Sequence, residues 1–85
     1  MSEVLERVRR VVAENQQIEP QKITIDSTFE ELGIDSFDGV NLLFGIEGEF
    51  DIQVSDEDAK KLRGIRDVVE GVERLTAERA VTSGD

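Results

Sequence analysis

The stretch Gly33-Ile34-Asp35-Ser36-Phe37-Asp38-Gly39-Val40-Asn41-Leu42-Leu43-Phe44-Gly45-Ile46-Glu47-Gly48-Glu49-Phe50 decides the fold. Either Asp35 or Ser36 fits a helix N-cap, and Asp38 lies where an acid favours the positive end of a helix dipole. The spacing predicts a helix from about Ser36 to Phe50. On a wheel turning about 100° per residue, with Phe37 at zero, Leu42, Ile46, Phe50 and Leu43 fall between about 140° and 240°. Phe37, Val40 and Phe44 fall within about 60° of zero. A surface helix of a small bundle needs one apolar stripe, and this one has two. Either it is central and buried all round, or one stripe is core and the other is presented to a partner. Asp38 and Glu49 break the circle on one side and Glu47 on the other, and so small a domain covers a whole helix poorly. The second arrangement is therefore expected. Leu42, Leu43, Ile46 and Phe50 form the core stripe, and Phe37, Val40 and Phe44 the exposed one, with Asn41 and Gly48 beside it. Gly39, Gly45 and Gly48 interrupt the same helix, each at about 1 kcal/mol against alanine. They signal a close approach of backbone or a tolerated weak helix.

Outward from this element, Val4, Leu5, Val8, Val11 and Val12 form a helical stripe over about residues 3–15. A linker carrying the only proline, Pro20, follows. In Asp26-Ser27-Thr28-Phe29-Glu30-Glu31-Leu32-Gly33, Ser27 with Glu30 or Thr28 with Glu31 fits a capping box, and Gly33 a helix stop, so one short turn is expected. Ile52 and Val54 alternate with polar residues in a brief extended link. Ser55 with Asp58 predicts a cap for a short helix ending near Gly64. Ile65, Val68, Val69, Val72 and Leu75 give the stripe of a last helix. The expected fold is all-α: a small four-helix bundle, three main helices plus a short third one, with a long loop after helix 1. One domain over residues 1–78 and a flexible tail over 79–85, ending Thr82-Ser83-Gly84-Asp85, are expected.

The chain has 85 residues, with 20 acids against 10 bases and a formal net charge of -10. That argues against nucleic acid, which needs a basic patch to displace counterions, and against docking on anionic lipid. With Cys 0 and His 0 there is no disulfide, no cysteine–histidine zinc site and no Ser–His or Cys–His catalytic pair. No apolar run approaches the ~20 residues of a membrane span, and Met1-Ser2-Glu3-Val4-Leu5-Glu6 lacks the layout of a signal peptide. A cytoplasmic monomer is expected, the monomer because of the net charge. No metal site is expected either, since Asp56-Glu57-Asp58 is followed by Ala59 and Lys60, which does not fit a calcium loop. Between Lys22 and Lys60 the chain holds 11 acids and no Lys or Arg. The choice is between a solvated acidic face and an electrostatic docking face for basic partners. Apolar anchors embedded in the acidic stretch favour docking. An enzyme is the least supported class, because nothing points to an apolar pocket that would raise a carboxyl pKa.

Ser36 has no histidine to take its proton, but a serine at a helix start suits modification, where an added phosphate meets the positive end of the dipole. Here the chain resembles acyl carrier proteins, small acidic helical bundles that carry a 4′-phosphopantetheine arm. The family's signature is an Asp-Ser-Leu triplet at the start of the second helix. This chain has Asp35-Ser36-Phe37, preceded by Glu31-Leu32-Gly33-Ile34 and followed by Asp38. The resemblance continues through Glu47, Glu49-Phe50-Asp51 and Val54-Ser55-Asp56-Glu57-Asp58-Ala59, covering about residues 3–78.

The resemblance implies that Ser36 is the attachment point and that Asp35 supports the attachment. A phosphopantetheinyl transferase would install the arm from coenzyme A, with Mg²⁺ held in the transferase. The arm's thiol would carry an acyl group as a thioester, so the cofactor supplies the chemistry and the protein the delivery. Acyl-transferring and ketoacyl-synthase-type enzymes with basic patches are the implied partners. The second helix is the family's recognition helix, which implies a partner face of Phe37, Asp38, Val40, Asn41, Phe44 and Glu47. The core stripe would line the interior where some carriers shelter their acyl chain. Four positions depart from the family's pattern. Phe37 replaces the usual leucine, Asn41 and Gly48 stand at customary glutamates, and Phe44 is bulkier than the usual methionine. They make a specialised carrier, in a dedicated acyl, polyketide or amino-acyl pathway, an alternative to general fatty acid synthesis, and the expected setting is fatty acid or specialised acyl or polyketide biosynthesis. The competing expectation is an unmodified acidic interaction module on the same fold.

Overall fold

The computed structural model describes residues 3–83, with side-chain surroundings for residues 3–77. Four helices follow in order: α1 (Glu3–Gln16), α2 (Ser36–Phe50), α3 (Asp56–Lys61) and α4 (Ile65–Ser83). A single 3-10 turn at Pro20–Lys22 punctuates the long α1–α2 loop; proline suits the first position of such a turn because its missing N–H needs no partner there. The fold is the expected all-α bundle, with an isolated bridge between Thr28 and Gly64 as its extended pairing among the described residues.

Helix α1 packs against both α2 and α4. Val8, Val12, Leu42, Ile46 and Ile65 meet in the centre, joined by Ile23 from the long loop. Loop backbone cannot be buried without partners, and here they are supplied. The guanidinium of Arg9 donates to Ile23 O and to Pro20 O, both at 2.8 Å. Farther along, Phe29 N–H donates to Arg63 O at 2.9 Å and Ile65 N–H to Ser27 O at 2.9 Å, tying the loop to the α3–α4 junction. Gly64 is required at that junction. A Cβ there would sit 2.7 Å from Ser27 O and 3.2 Å from Thr28 Cα.

Of the two capping boxes the sequence allowed, Thr28 with Glu31 forms. Thr28 N–H donates to Glu31 Oε1 at 2.9 Å, and Glu31 N–H donates back to Thr28 Oγ1 at 3.1 Å. Ser27 Oγ instead accepts from Thr24 N–H. The turn closes at Gly33, whose φ of +73° suits glycine. Ser55 caps α3 by accepting from Asp58 N–H at 3.1 Å. That helix stops at Lys61, earlier than the predicted end near Gly64, because residues 63 and 64 are drawn into pairing with the long loop.

The α4 backbone is helical through Ser83, so it runs into the stretch 79–85 read above as a tail; Gly84 and Asp85 lie outside the described residues. One reading needs adjusting: Leu43, expected in the core stripe, is half-buried, because it lines both grooves beside α3 rather than the packed centre.

Candidate functional site

The site is built on the start of α2. Asp35 is the N-cap: its backbone is extended (φ -86°, ψ -174°) and its Oδ1 accepts from Asp38 N–H at 2.9 Å. That leaves Ser36 as the first helical residue, with an exposed side chain. The N-terminal N–H groups of a helix and its dipole together favour negative charge beside that serine. Asp38, half-buried one turn in, is in the first turn as expected.

The two stripes of α2 separate as the wheel requires. Leu42 and Ile46 are each 1% exposed, whereas Phe37, Val40 and Phe44 are 83%, 52% and 67% exposed. Asn41 and Gly48 are exposed beside them. Glu47 departs from a free docking residue. It is half-buried, and its Oε2 accepts from Val54 N–H at 2.7 Å, fastening the α2–α3 link.

The glycines of α2 divide too. Gly45 is a close approach, where a Cβ would lie 3.0 Å from both Val11 Cγ1 and Asn15 Nδ2 of α1. Around Gly39 and Gly48 no atom lies within 4 Å of such a Cβ.

Ser36 and Asp35 stand at one end of a groove of about 340 Å³ between α2, the long loop and α3. Phe29, Ile34, Val40, Leu42, Leu43 and Leu62 make it apolar, and Lys60 contributes a cation. A second groove of about 190 Å³, bounded by α2, α3 and α4, shares Leu43 and Leu62 with the first and takes Lys61 as a lining residue. Residue-by-residue reading missed Phe29, Ile34 and Lys60 as groove walls. Phe29 lies inside the Thr28–Glu31 capping box and Ile34 just after Gly33, and with Ile18, Ile23, Ile25 and Leu32 in the same loop no local signal singled them out.

The other end of α2 is held by α1. Arg7 Nε donates to Glu49 Oε2 at 2.7 Å, Arg10 Nη2 to the same oxygen at 3.1 Å, and Arg7 Nη2 to Glu49 O at 2.7 Å. The Arg7 guanidinium lies 4.4 Å from the Phe50 ring centroid, a cation–π contact. The hydrogen bond from Arg7 holds the Glu49 carboxyl below its ordinary value; the charges of Arg7 and Arg10 add to this, and partial desolvation opposes it. Asp26 and Asp58 are also paired, with Arg66 and Arg74. The acidic stretch is therefore in part a set of internal ion pairs, so its free charge is smaller than a count of acids implies.

The family described as "Phosphopantetheine attachment site" matches residues 6–72. An acyl carrier protein of Caulobacter vibrioides is 40% identical over 78 residues, covering 91% of this chain and 100% of that protein. One from Phenylobacterium zucineum is 43% identical over 79 residues, covering 91% and 100%. The chain belongs to the acyl carrier protein family. The crystal structure of an acyl carrier protein from Thermotoga maritima matches with a TM-score of 0.66 and 28% identity, covering 85% of this chain and 93% of that one.

An acyl carrier protein is a carrier and not a catalyst, and it bears covalently attached 4′-phosphopantetheine. The start of α2 fits such a group: an accessible serine hydroxyl, a helix N-terminus beside it and an apolar groove adjoining it. Membership also implies work with a phosphopantetheinyl transferase and with biosynthetic enzymes. No helix among the described residues is long and apolar enough to cross a membrane.

Proposed function

We propose that Ser36 carries the phosphopantetheine arm and that this carrier presents the loaded arm through the exposed face of α2. The observation that carries the reading is the exposed Ser36 at the first position of α2, opening onto the apolar groove. Asp35 has two supporting roles: it fixes the helix start through Asp38 N–H and keeps a carboxylate beside the serine. Bound phosphopantetheine supplies a thiol for the thioester. The chain supplies the anchor, the orientation of the arm by the helix start, and an apolar groove that shields it from water.

Phe37, Val40 and Phe44 are the apolar contacts of the partner face, with Asn41 among them and Asp38 at its flank. Glu47 belongs to its edge, limited by its bond to Val54. Phosphopantetheinyl transferase and acyl-transferring or ketoacyl-synthase-type enzymes with basic patches suit this face, because apolar anchors lie among acids. Two exposed rings, and Asn41 and Gly48 in place of glutamates, support a specialised acyl or polyketide pathway ahead of general fatty acid synthesis. A cytoplasmic monomer suits the net charge of -10.

Intact mass before and after incubation with a broad-specificity phosphopantetheinyl transferase, coenzyme A and Mg²⁺ tests the reading. One phosphopantetheine is gained by the wild type and none by Ser36→Ala, which keeps its helical circular dichroism. No gain in folded wild-type protein, beside an active control carrier, overturns it. A gain that persists in Ser36→Ala overturns the site.

A further inference from the structure

We infer that the Lys60 ammonium is the counter-ion for the phosphodiester that would join the arm to Ser36, and that it holds the arm along the groove between α2 and α3. The inference rests on attachment at Ser36 as proposed above. Ser36, on α2, and Lys60, on α3, line the same groove of about 340 Å³. Lys60 is the first base after Lys22, with 11 acids between the two, and the one cation among the described residues lining that groove. Of its acidic neighbours on α3, one is engaged elsewhere. Asp58 pairs with Arg74 at 3.1 Å, and Lys60 itself makes no ion pair among the described residues, although Asp56 and Glu57 precede it on the same helix. Asp35, the acid lining the groove, has Oδ1 engaged by Asp38 N–H.

Attaching the arm puts one negative charge, shared by the two non-bridging oxygens of the phosphodiester, beside Ser36 in the lining of this groove. The start of α2 attracts that charge from one side. From α3, a lysine on a flexible stem reaches it with a point charge and three donors. Lys61 supplies an internal contrast. It is adjacent in sequence and equally charged, yet it lines the other groove, with Asp58, Asp67, Glu70 and Arg74 nearby. A role for Lys60 is therefore one of placement and is separable from net charge. Because Lys60 is exposed, the pair is worth at most about a fivefold change in the ratio of groove-bound to free arm, or about 1 kcal/mol. Salt weakens it.

The test is phosphorus NMR of the arm-bearing protein, after intact mass has shown that the arm is present. Wild type, Lys60→Gln, Lys60→Arg and Lys61→Gln are compared at low and high salt, each checked for fold by circular dichroism. Lys60→Gln is expected to narrow the diester line and move its shift. Lys60→Arg restores the wild-type spectrum, Lys61→Gln leaves it unchanged, and salt moves the wild type towards Lys60→Gln. Identical spectra for all four proteins overturn the inference, as does an equal effect of Lys61→Gln. A mass showing no arm overturns the Ser36 reading itself, which distinguishes the two failures.

Discussion

The two faces of α2 are made of the same kind of residue and have opposite fates. Leu42 and Ile46 lie under α1 and α4 at 1% exposure, while Phe37 and Phe44 stand in solvent at 83% and 67%. Hydrophobicity alone does not distinguish them. The difference lies in supply: the bundle has enough apolar surface to cover one side of the helix and none left for the other. An uncovered aromatic pair presents apolar area to whatever docks. One helix thereby serves as both the scaffold of the core and the surface of exchange.

The largest expected effect would break this contrast outright. Ile46→Ala should cost about 2–5 kcal/mol in denaturant unfolding, as deletions in a filled core do. Phe44→Ala should change stability by less than about 0.5 kcal/mol, as at other surface sites. The same Phe44→Ala protein should bind a partner enzyme more weakly, with the remaining affinity falling as salt is added. Equal melting losses for the two variants would place Phe44 in the core.

A second pair of substitutions sharpens the comparison with glycines. Gly45→Ala drives a methyl against Val11 and Asn15 on the covered side, to 3.0 Å from each. Overpacking of this kind costs about 1–3 kcal/mol. Gly48→Ala adds its methyl in open space on the exposed side, and should raise stability by up to about 1 kcal/mol through helix propensity alone. Chemical denaturation of both variants measures the sign, and a stabilised Gly45→Ala would deny the close approach of α1.

The smallest effect concerns the pinned end of α2. The folded-state pKa of Glu49 is depressed by the Arg7 hydrogen bond and by the Arg7 and Arg10 charges. The stabilisation it contributes is therefore present above the ordinary glutamate value of about 4.3 and is lost as pH falls below it, through the lowered folded-state value. Glu49→Gln should be less stable than the wild type near neutral pH, with the gap closing in acid. Unfolding curves at several pH values test this, and a gap that does not change with pH would sink it.

Much of the site was legible because helix periodicity and capping are local. The spacing of Phe37, Val40 and Phe44 against Leu42, Ile46 and Phe50 placed both stripes, and Ser55 with Asp58 announced the start of α3. The competing caps at Ser27 and Thr28 were not separable by pattern, since both have a carboxylate three residues on. What selects Thr28 is that both capping atoms of Ser27 are used elsewhere: its Oγ accepts from Thr24 N–H and its own N–H donates to Thr24 O. Glu47 looked like a free acid because nothing local shows Val54 N–H folding back to meet it.

By itself the sequence determined the all-α bundle, the exposed stripe, the serine at the helix start and the exclusion of histidine and cysteine chemistry. Those follow from residue type and spacing within one element. Tertiary structure alone decided which acids are free and which are bound to Arg7, Arg10, Arg66 or Arg74. It also decided that Lys60 and Lys61 line different grooves. The physical reason is that charge pairing and groove walls are properties of distances between elements, and those distances exist only once α1, the long loop and α3 have closed around α2.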